Sequence, residues 1–313
     1  VGCEDDEVKI CISGGAGFLG SVLTPMLLNV GHKVTVIDSY QYGQTSLAEC
    51  CADPNFTLIR GDCRDKKLMA GLLKDADFFI PLAAIVGAPA CDRDPDLAWE
   101  TNCKAIADHM SKASCPTIMP TTNSGYGIGG DSACTEESPL NPLSVYGRSK
   151  VEAEKAVLLY GGITLRFATL AGVSPRMRFD LLLNDFCARA VRDRSIVLFE
   201  PHFRRNYLHV RDAALAIIWA MNHYDEMKGK PYNVGLPDAN LTKRQLCERI
   251  KKQVFDLAIL EAPIGEDPDK RDYIVSSQRI LETGWQPQYS LDHTIAEIIR
   301  AMPIFMQRRW GNV

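Results

Sequence analysis

The chain has 313 residues, of which 46% are hydrophobic and 24% charged, with a formal net charge of −4. That length and apolar share suffice for a full core, and the mild, mixed charge excludes duplex nucleic acid and an anionic membrane surface as electrostatic partners. The eleven cysteines are odd in number and form neither a C-x-x-C motif nor a Cys/His cluster, so neither a disulfide framework nor a metal site is expected.

The opening "VGCEDDEVKI" is acidic and has no apolar signal core. The longest apolar run, "IPLAAIVGAPA", is too short and too proline-rich to span a bilayer, so the expectation is a cytoplasmic protein with no membrane partner. Short β-branched runs then alternate with helix-length segments: "VKICISG", "KVTVID", "FTLIRGD", "DFFIPLAA", "TIMPTT" and "ITLRFATL". Such alternation predicts an α/β fold, a Rossmann-type doubly wound parallel sheet with helices on both faces. After Gly172 the pattern loosens into a smaller C-terminal α/β substrate lobe. The expected division is a dinucleotide-binding domain over 1–172, to which 206–235 returns, and a second lobe from 173–205 and 236–313.

The first strand runs into "GGAGFLG" and a helix, which sets Gly14, Gly17 and Gly20 in a G-x-x-G-x-x-G spacing around Phe18 and Leu19. Glycines allow the tight turn and bring backbone and helix N-terminus close to a pyrophosphate. The second strand ends in Asp38, whose carboxylate can accept from both hydroxyls of an adenosine ribose and would repel a 2′-phosphate. No Arg or Lys follows in "DSYQYGQ", so NAD is expected rather than NADP.

Further on, "TTNSGYGIGG" precedes "VYGRSK", in which Tyr146 and Lys150 lie one helical turn apart. A lysine ammonium beside a tyrosine favours the phenolate, which predicts a lowered phenol pKa and a base able to act on a sugar hydroxyl. In this order, the glycine turn, Asp38, "NSGYG" and the Tyr/Lys helix make the chain resemble the extended short-chain dehydrogenase/reductase family, the NAD-dependent epimerases and dehydratases of nucleotide sugars, over nearly its whole length. The resemblance implies a catalytic triad of Thr122, Tyr146 and Lys150, with Thr122 found four residues before the tyrosine of the Y-G pair. It also implies that Asp62, beside Cys63, contacts the adenine edge and that Ala83 and Ala84 line the cofactor cleft. Asn123 and Ser124 stand where the dehydratases carry an Asp-Glu pair, and Ser124 also replaces the cysteine of members that epimerise C3 or C5. Oxidation and reduction at one carbon is therefore expected, without elimination.

The family binds its nucleotide diphosphate through arginines of the second lobe, here Arg205 and Arg271, with Arg176 and Arg178 as further candidates. His209 and Trp285 read as structural. A narrower similarity, carried by "TNSGYGIG", "CTEESPL", "SPRMRFDLL" and "GEDPDKRDY", is to bacterial enzymes that oxidise GDP-manno-heptose at C4 for capsule synthesis. The first expectation is thus a 4-dehydrogenase of a nucleotide-diphosphate sugar, with a GDP-linked substrate favoured and a UDP-linked one possible. The alternatives are a UDP-sugar 4-epimerase and, from another class, a non-catalytic dinucleotide-sensing regulator. The resemblance further implies a homodimer formed through the Tyr/Lys helix and the helix around "DLAWETNCKAIADHMSKA".

Overall fold

A computed structural model of the chain describes residues 7–112, 115–130, 132–262 and 271–305. Six strands carry the first half: β1 (Lys9–Ser13), β2 (Lys33–Asp38), β3 (Phe56–Arg60), β4 (Phe78–Pro81), β5 (Ile118–Thr122) and β6 (Ile163–Phe167). Later strands are β7 (Thr169–Ala171), β8 (Ser195–Leu198), β9 (Arg204–Arg205), β10 (Tyr207–His209), β11 (Pro231–Val234), β12 (Leu241–Thr242) and β13 (Ala258–Glu261). All pairings among β1 to β6 and β11 are parallel. β3-β2-β1-β4 form one ladder and β5-β6-β11 another. A parallel bridge between Phe79 and Thr117 joins the two. The order 3-2-1-4-5-6 reverses direction between β1 and β4, and in such sheets ligands bind outside the carboxyl ends of the strands at that reversal.

Residues Ile10, Ile12, Val34, Val36, Ile80, Ile118, Ile163 and Leu165 are nearly inaccessible. That explains the unbroken apolar runs of these strands, because both sheet faces are covered. Outside the main sheet, β7 pairs with β10, β8 with β13, and β9 with β12, the last antiparallel. The helix Leu291–Phe305 is tied down through Glu297, which receives hydrogen bonds from His209 (2.5 Å) and from Arg211. His209 is fully buried and Trp285 nearly so, as structural residues should be. Among the described residues no helix is long and apolar enough to cross a membrane, and no group of three His, Cys, Asp or Glu could hold a metal ion.

The apolar residues of the two helical segments expected to meet in a dimer have a different use. Trp99, Cys103, Ile106 and Met110 pack within the chain against Ala153 and Val157 and against Met119 of β5. The outer faces carry the ion pairs Glu100–Lys104 and Glu152–Lys155.

A charged residue inside β6 sets the position of everything at the end of β5. Arg166, in the apolar "ITLRF", donates to both carboxylate oxygens of Glu154 (2.6 and 3.1 Å), and their side chains are 5% and 4% exposed. Glu154 lies on the helix Val145–Leu159, four residues beyond Lys150, and also accepts from the Thr121 hydroxyl at 3.0 Å. Arg166 further donates to the Tyr126 hydroxyl (2.9 Å), which in turn donates to Asn233 of β11 (2.7 Å). Removing one partner of such a pair leaves an uncompensated buried charge. Glu154→Gln should therefore cost about 3–5 kcal/mol of stability, read as a lower urea midpoint at unchanged m-value. Glu152→Gln, on the exposed side of the same helix, should stay within about 0.5 kcal/mol of the parent.

Candidate active site

At the carboxyl ends of the strands lies a cavity of about 1470 Å³, bordered by the glycine-rich turn, the ends of β2, β4 and β5, the Tyr/Lys helix and the arginines of the second lobe. It brings together Gly14, Gly17, Phe18, Leu19, Gly20, Asp38, Asp62, Cys63, Ala83, Ala84, Thr122, Ser124, Tyr146 and Lys150, along with Arg176, Arg178, Arg205 and Arg271. Asn123 is buried behind this wall, and neither of its side-chain polar atoms has a partner.

The cofactor half is built by close backbone approach. Gly14 has φ +75°, and a Cβ there would lie 2.5 Å from the amide nitrogen of Ala83, so only glycine lets the turn after β1 touch the segment after β4. Asp38 is 8% exposed and accepts from the amides of Ala16 (3.0 Å) and Tyr40 (2.9 Å). Burial raises its pKa and those two amides oppose the shift, with Arg176 as a further favourable charge. The carboxylate is thus held rigidly at the end of β2. Asp62 is gripped by Arg64, which donates from Nε (3.0 Å) and Nη2 (2.6 Å). Cys63 contributes its carbonyl oxygen to a 2.8 Å hydrogen bond with His109. Asn102, fully buried, binds both polar backbone atoms of Ile85 (2.8 and 2.9 Å) and the Ser149 hydroxyl (3.2 Å), and so fastens the loop after β4 to the Tyr/Lys helix. The sequence reading missed this residue; an amide within an otherwise amphipathic helical segment was the available signal.

The other half answers why "TTNSGYGIGG" is written as it is. Thr121 binds Glu154, and Thr122 accepts from the Ser124 amide (3.1 Å) while its hydroxyl donates to the Ser124 hydroxyl (2.9 Å). Thr122 also shares a hydrogen bond with Tyr146. Tyr126 is the anchor in the Arg166 network, and Gly127, at φ +71°, must be glycine because a Cβ would meet the Asn141 carbonyl oxygen at 2.1 Å. The two threonines therefore divide their work between the buried ion pair and the cleft.

The electrostatics differ from the expected lowered phenol. Burial raises the Tyr146 pKa, and the guanidinium groups of Arg178 and Arg271 and the Thr122 hydrogen bond pull against it. Lys150, 4% exposed, is itself pushed down to about 8 by burial, with Glu154 opposing. A desolvated lysine favours its neutral form, and a phenol with a raised pKa favours its protonated one.

The four arginines do not form one cluster. Arg271 donates to the Ser124 hydroxyl, Arg178 is paired with Asp180 (2.6 Å), and both guanidinium groups act on Tyr146. Arg205 lies with its guanidinium carbon 5.9 Å from the centre of the buried Tyr273 ring. Arg176 lies 4.9 Å over the Tyr42 ring and beside Asp38, with Arg178 acting on it as a like charge.

A family model described as the NAD dependent epimerase/dehydratase family matches residues 10–235. The chain belongs to that family. It is similar, at 26% identity over 91% of this chain and 95% of the relative, to the low-salt glycan biosynthesis protein Agl12 of Haloferax volcanii. It is 24% identical to the UDP-glucose 4-epimerase of Corynebacterium glutamicum, over 93% of this chain and 94% of the relative. Its fold matches the solved UDP-glucose 4-epimerase of Thermotoga maritima with a TM-score of 0.83 at 22% identity, covering 95% of this chain and 99% of that one. It is thus an enzyme of this NAD-dependent family, and the regulator alternative is set aside. The residues present fit NAD: the Gly14 to Ala83 approach leaves no room for a side chain, and a fixed carboxylate stands at the end of β2.

Two results should follow. NAD should bind at least about tenfold more tightly than NADP, since like charges about 4 Å apart in a partly buried cleft repel by as much as ~4 kcal/mol; calorimetric titration of both cofactors checks this, and equal affinities would contradict the role of Asp38. Tyr146→Phe should lower kcat/KM by a factor of about 10² to 10⁴ with NAD affinity unchanged, and Thr122→Val should lower it less.

Proposed function

We propose that this enzyme oxidises the C4 hydroxyl of a nucleotide-diphosphate sugar, a GDP-linked heptose, and releases the 4-keto sugar. The observation that carries this reading is the state of the positions after Thr122. Ser124 is occupied by hydrogen bonds with Thr122 and Arg271, and Asn123 does not titrate, so neither of these two positions supplies the acid or base that elimination or epimerisation at C3 or C5 needs. The narrower similarity of "TNSGYGIG" and "SPRMRFDLL" supports the GDP-heptose substrate.

In this mechanism Thr122 orients the sugar hydroxyl and Tyr146, once ionised with its own proton passed to solvent, accepts the hydroxyl proton at the phenolate oxygen. NAD, when bound, supplies the two-electron acceptor for the C4 hydrogen and a positively charged ring. Positive charge at the reacting end is what Tyr146 needs, because burial otherwise holds its pKa up. Arg178 and Arg271 add to it from the sugar side, and Lys150 does so while protonated. The lobe of 173–205 and 236–313 holds the nucleotide diphosphate, with Arg205 and Arg271 as its phosphate ligands, and the chain works in the cytoplasm.

A second reading, a UDP-sugar 4-epimerase, is favoured by the similarity to the Corynebacterium epimerase. It needs the same triad, but the ketone must turn over in the site and be reduced on its other face. Incubation of stoichiometric enzyme with GDP-heptose and with UDP-hexoses separates the two. The proposal expects reduced-nicotinamide absorbance and a 4-keto product from the GDP-heptose, with no deuterium entering C3 or C5 from heavy water. Clean conversion of a UDP-hexose to its C4 epimer, with no ketone accumulating, would replace it by the second reading.

A further inference from the structure

We propose, resting on the role of Arg205 and Arg271 as phosphate ligands, that Asp272 is a positioning residue for the substrate: by clasping Arg204 and the loop after β5 together, it aims those two arginines at one diphosphate.

Three pieces of chain meet at Asp272. From β9, Arg204 donates to its carboxylate through Nε (2.9 Å) and Nη2 (3.0 Å), and the Arg204 amide donates to the same group (2.8 Å). The two side chains are 21% and 19% exposed. Burial alone would raise the Asp272 pKa, but the Arg204 hydrogen bonds and the charges of Arg204 and Arg205 carry it below its ordinary value, so the carboxylate is ionised at neutral pH. Its backbone holds the third piece. The Asp272 carbonyl oxygen accepts from the Gly129 amide (2.7 Å), and Ile128 and Asp272 form a parallel bridge. Arg204 reaches the same loop at the Gly130 carbonyl oxygen (3.4 Å), and a second parallel bridge joins Cys134 to Val275. The loop that follows Tyr126 is thereby fastened to β9 and to the segment 271–276.

The clasp lies behind the cleft wall. Arg205, Arg271 and Tyr273 border the cavity, whereas Arg204 and Asp272 do not. Along an extended chain successive side chains face opposite ways. The pairing of Arg204 with Asp272 on the far side therefore turns the residue after the first, and both neighbours of the second, toward the cleft. Two guanidinium groups aimed at one diphosphate repel each other until it arrives, and an ionised carboxylate close behind offsets part of that repulsion. Each is also held by its surroundings. Arg205 is 2% exposed, donates from Nη1 to the Arg204 carbonyl oxygen (2.9 Å) and has its guanidinium carbon 5.9 Å from the centre of the Tyr273 ring. Arg271 donates to the Ser124 hydroxyl and acts on Tyr146, so the clasp fixes the diphosphate site relative to the triad. Forks set in advance lose little side-chain freedom on binding, and a misplacement of about 1 Å spoils a bidentate contact.

The test uses the intact chain and the variants Asp272→Asn, Asp272→Glu and Arg204→Met, with Arg205→Met as the control for a direct phosphate ligand. Thermal melting without ligand compares their folding. Calorimetry gives NAD affinity and, at saturating NAD, GDP and UDP affinity; KM and kcat are measured with whichever of a GDP-heptose and a UDP-hexose is turned over. Loss of the clasp predicts GDP or UDP binding weakened about tenfold in Asp272→Asn and in Arg204→Met, KM raised by a similar factor, kcat within about threefold of the parent, and partial recovery in Asp272→Glu. NAD affinity should stay within about twofold. A clasp that only stabilises the fold would lower the melting temperature and leave GDP and UDP affinity unchanged; that result overturns the proposal, as does a fall in kcat at constant KM. Where Asp272→Asn does not fold, Arg204→Met and Asp272→Glu decide in the same way. If Arg205→Met weakens nucleoside diphosphate binding while the clasp variants do not, this inference fails alone. If Arg205→Met also leaves that binding unchanged, the phosphate-ligand assignment fails and this inference with it.

Discussion

The buried pair of Arg166 and Glu154 is the constraint on which the site depends. One strand, one helix and one loop meet at it: β6 supplies the guanidinium, the Tyr/Lys helix supplies the carboxylate, and Thr121 and Tyr126 of the "TTNSGYG" stretch bind to the two partners. A pair of this kind gains little net stability over an apolar replacement, because both ions have lost their water. What it does is fix geometry. With Thr121 held on Glu154, its neighbour Thr122 is turned into the cleft, one helical turn's packing away from Tyr146. With Tyr126 held on Arg166, the chain must reverse at Gly127.

The same pair shapes the chemistry. Glu154 is one turn beyond Lys150 and is the charge that keeps the lysine from falling further below its ordinary value. The phenol with its raised pKa, the depressed lysine and the two guanidinium groups from the second lobe share one end of the cleft. Such a site holds its proton until positive charge accumulates at the reacting end. Substrate and cofactor binding would thereby be coupled to activation of Tyr146 rather than merely preceding it.

Most of the fold was legible in the sequence because parallel strands buried on both faces leave unbroken apolar runs, and all six expected strands are present. The placement of Gly14 and Asp38 at one cleft was equally readable, since it depends on backbone approach and strand termini, which are local. The parts not readable were those fixed through space. Nothing in "SPRMR" says that Arg176 reaches Tyr42 while Arg178 reaches the reacting end, because two arginines separated by one residue in an irregular segment have no periodicity to assign them. Arg166 in "ITLRF" did carry a signal, a charge in a strand that must be buried, but its partner on another element was not deducible. The lowered phenol was expected from the spacing of Tyr146 and Lys150 alone; burial of both groups, invisible in that spacing, reverses its sign.

The proposed reaction is a single oxidation at one sugar carbon, with no return of the electrons to it. The most direct measurement is the fate of deuterium placed at C4 of the GDP-linked substrate in a single turnover. A one-way oxidation leaves the label in the cofactor and a carbonyl at C4 of the released sugar. Label returned to C4, in either configuration, would contradict it.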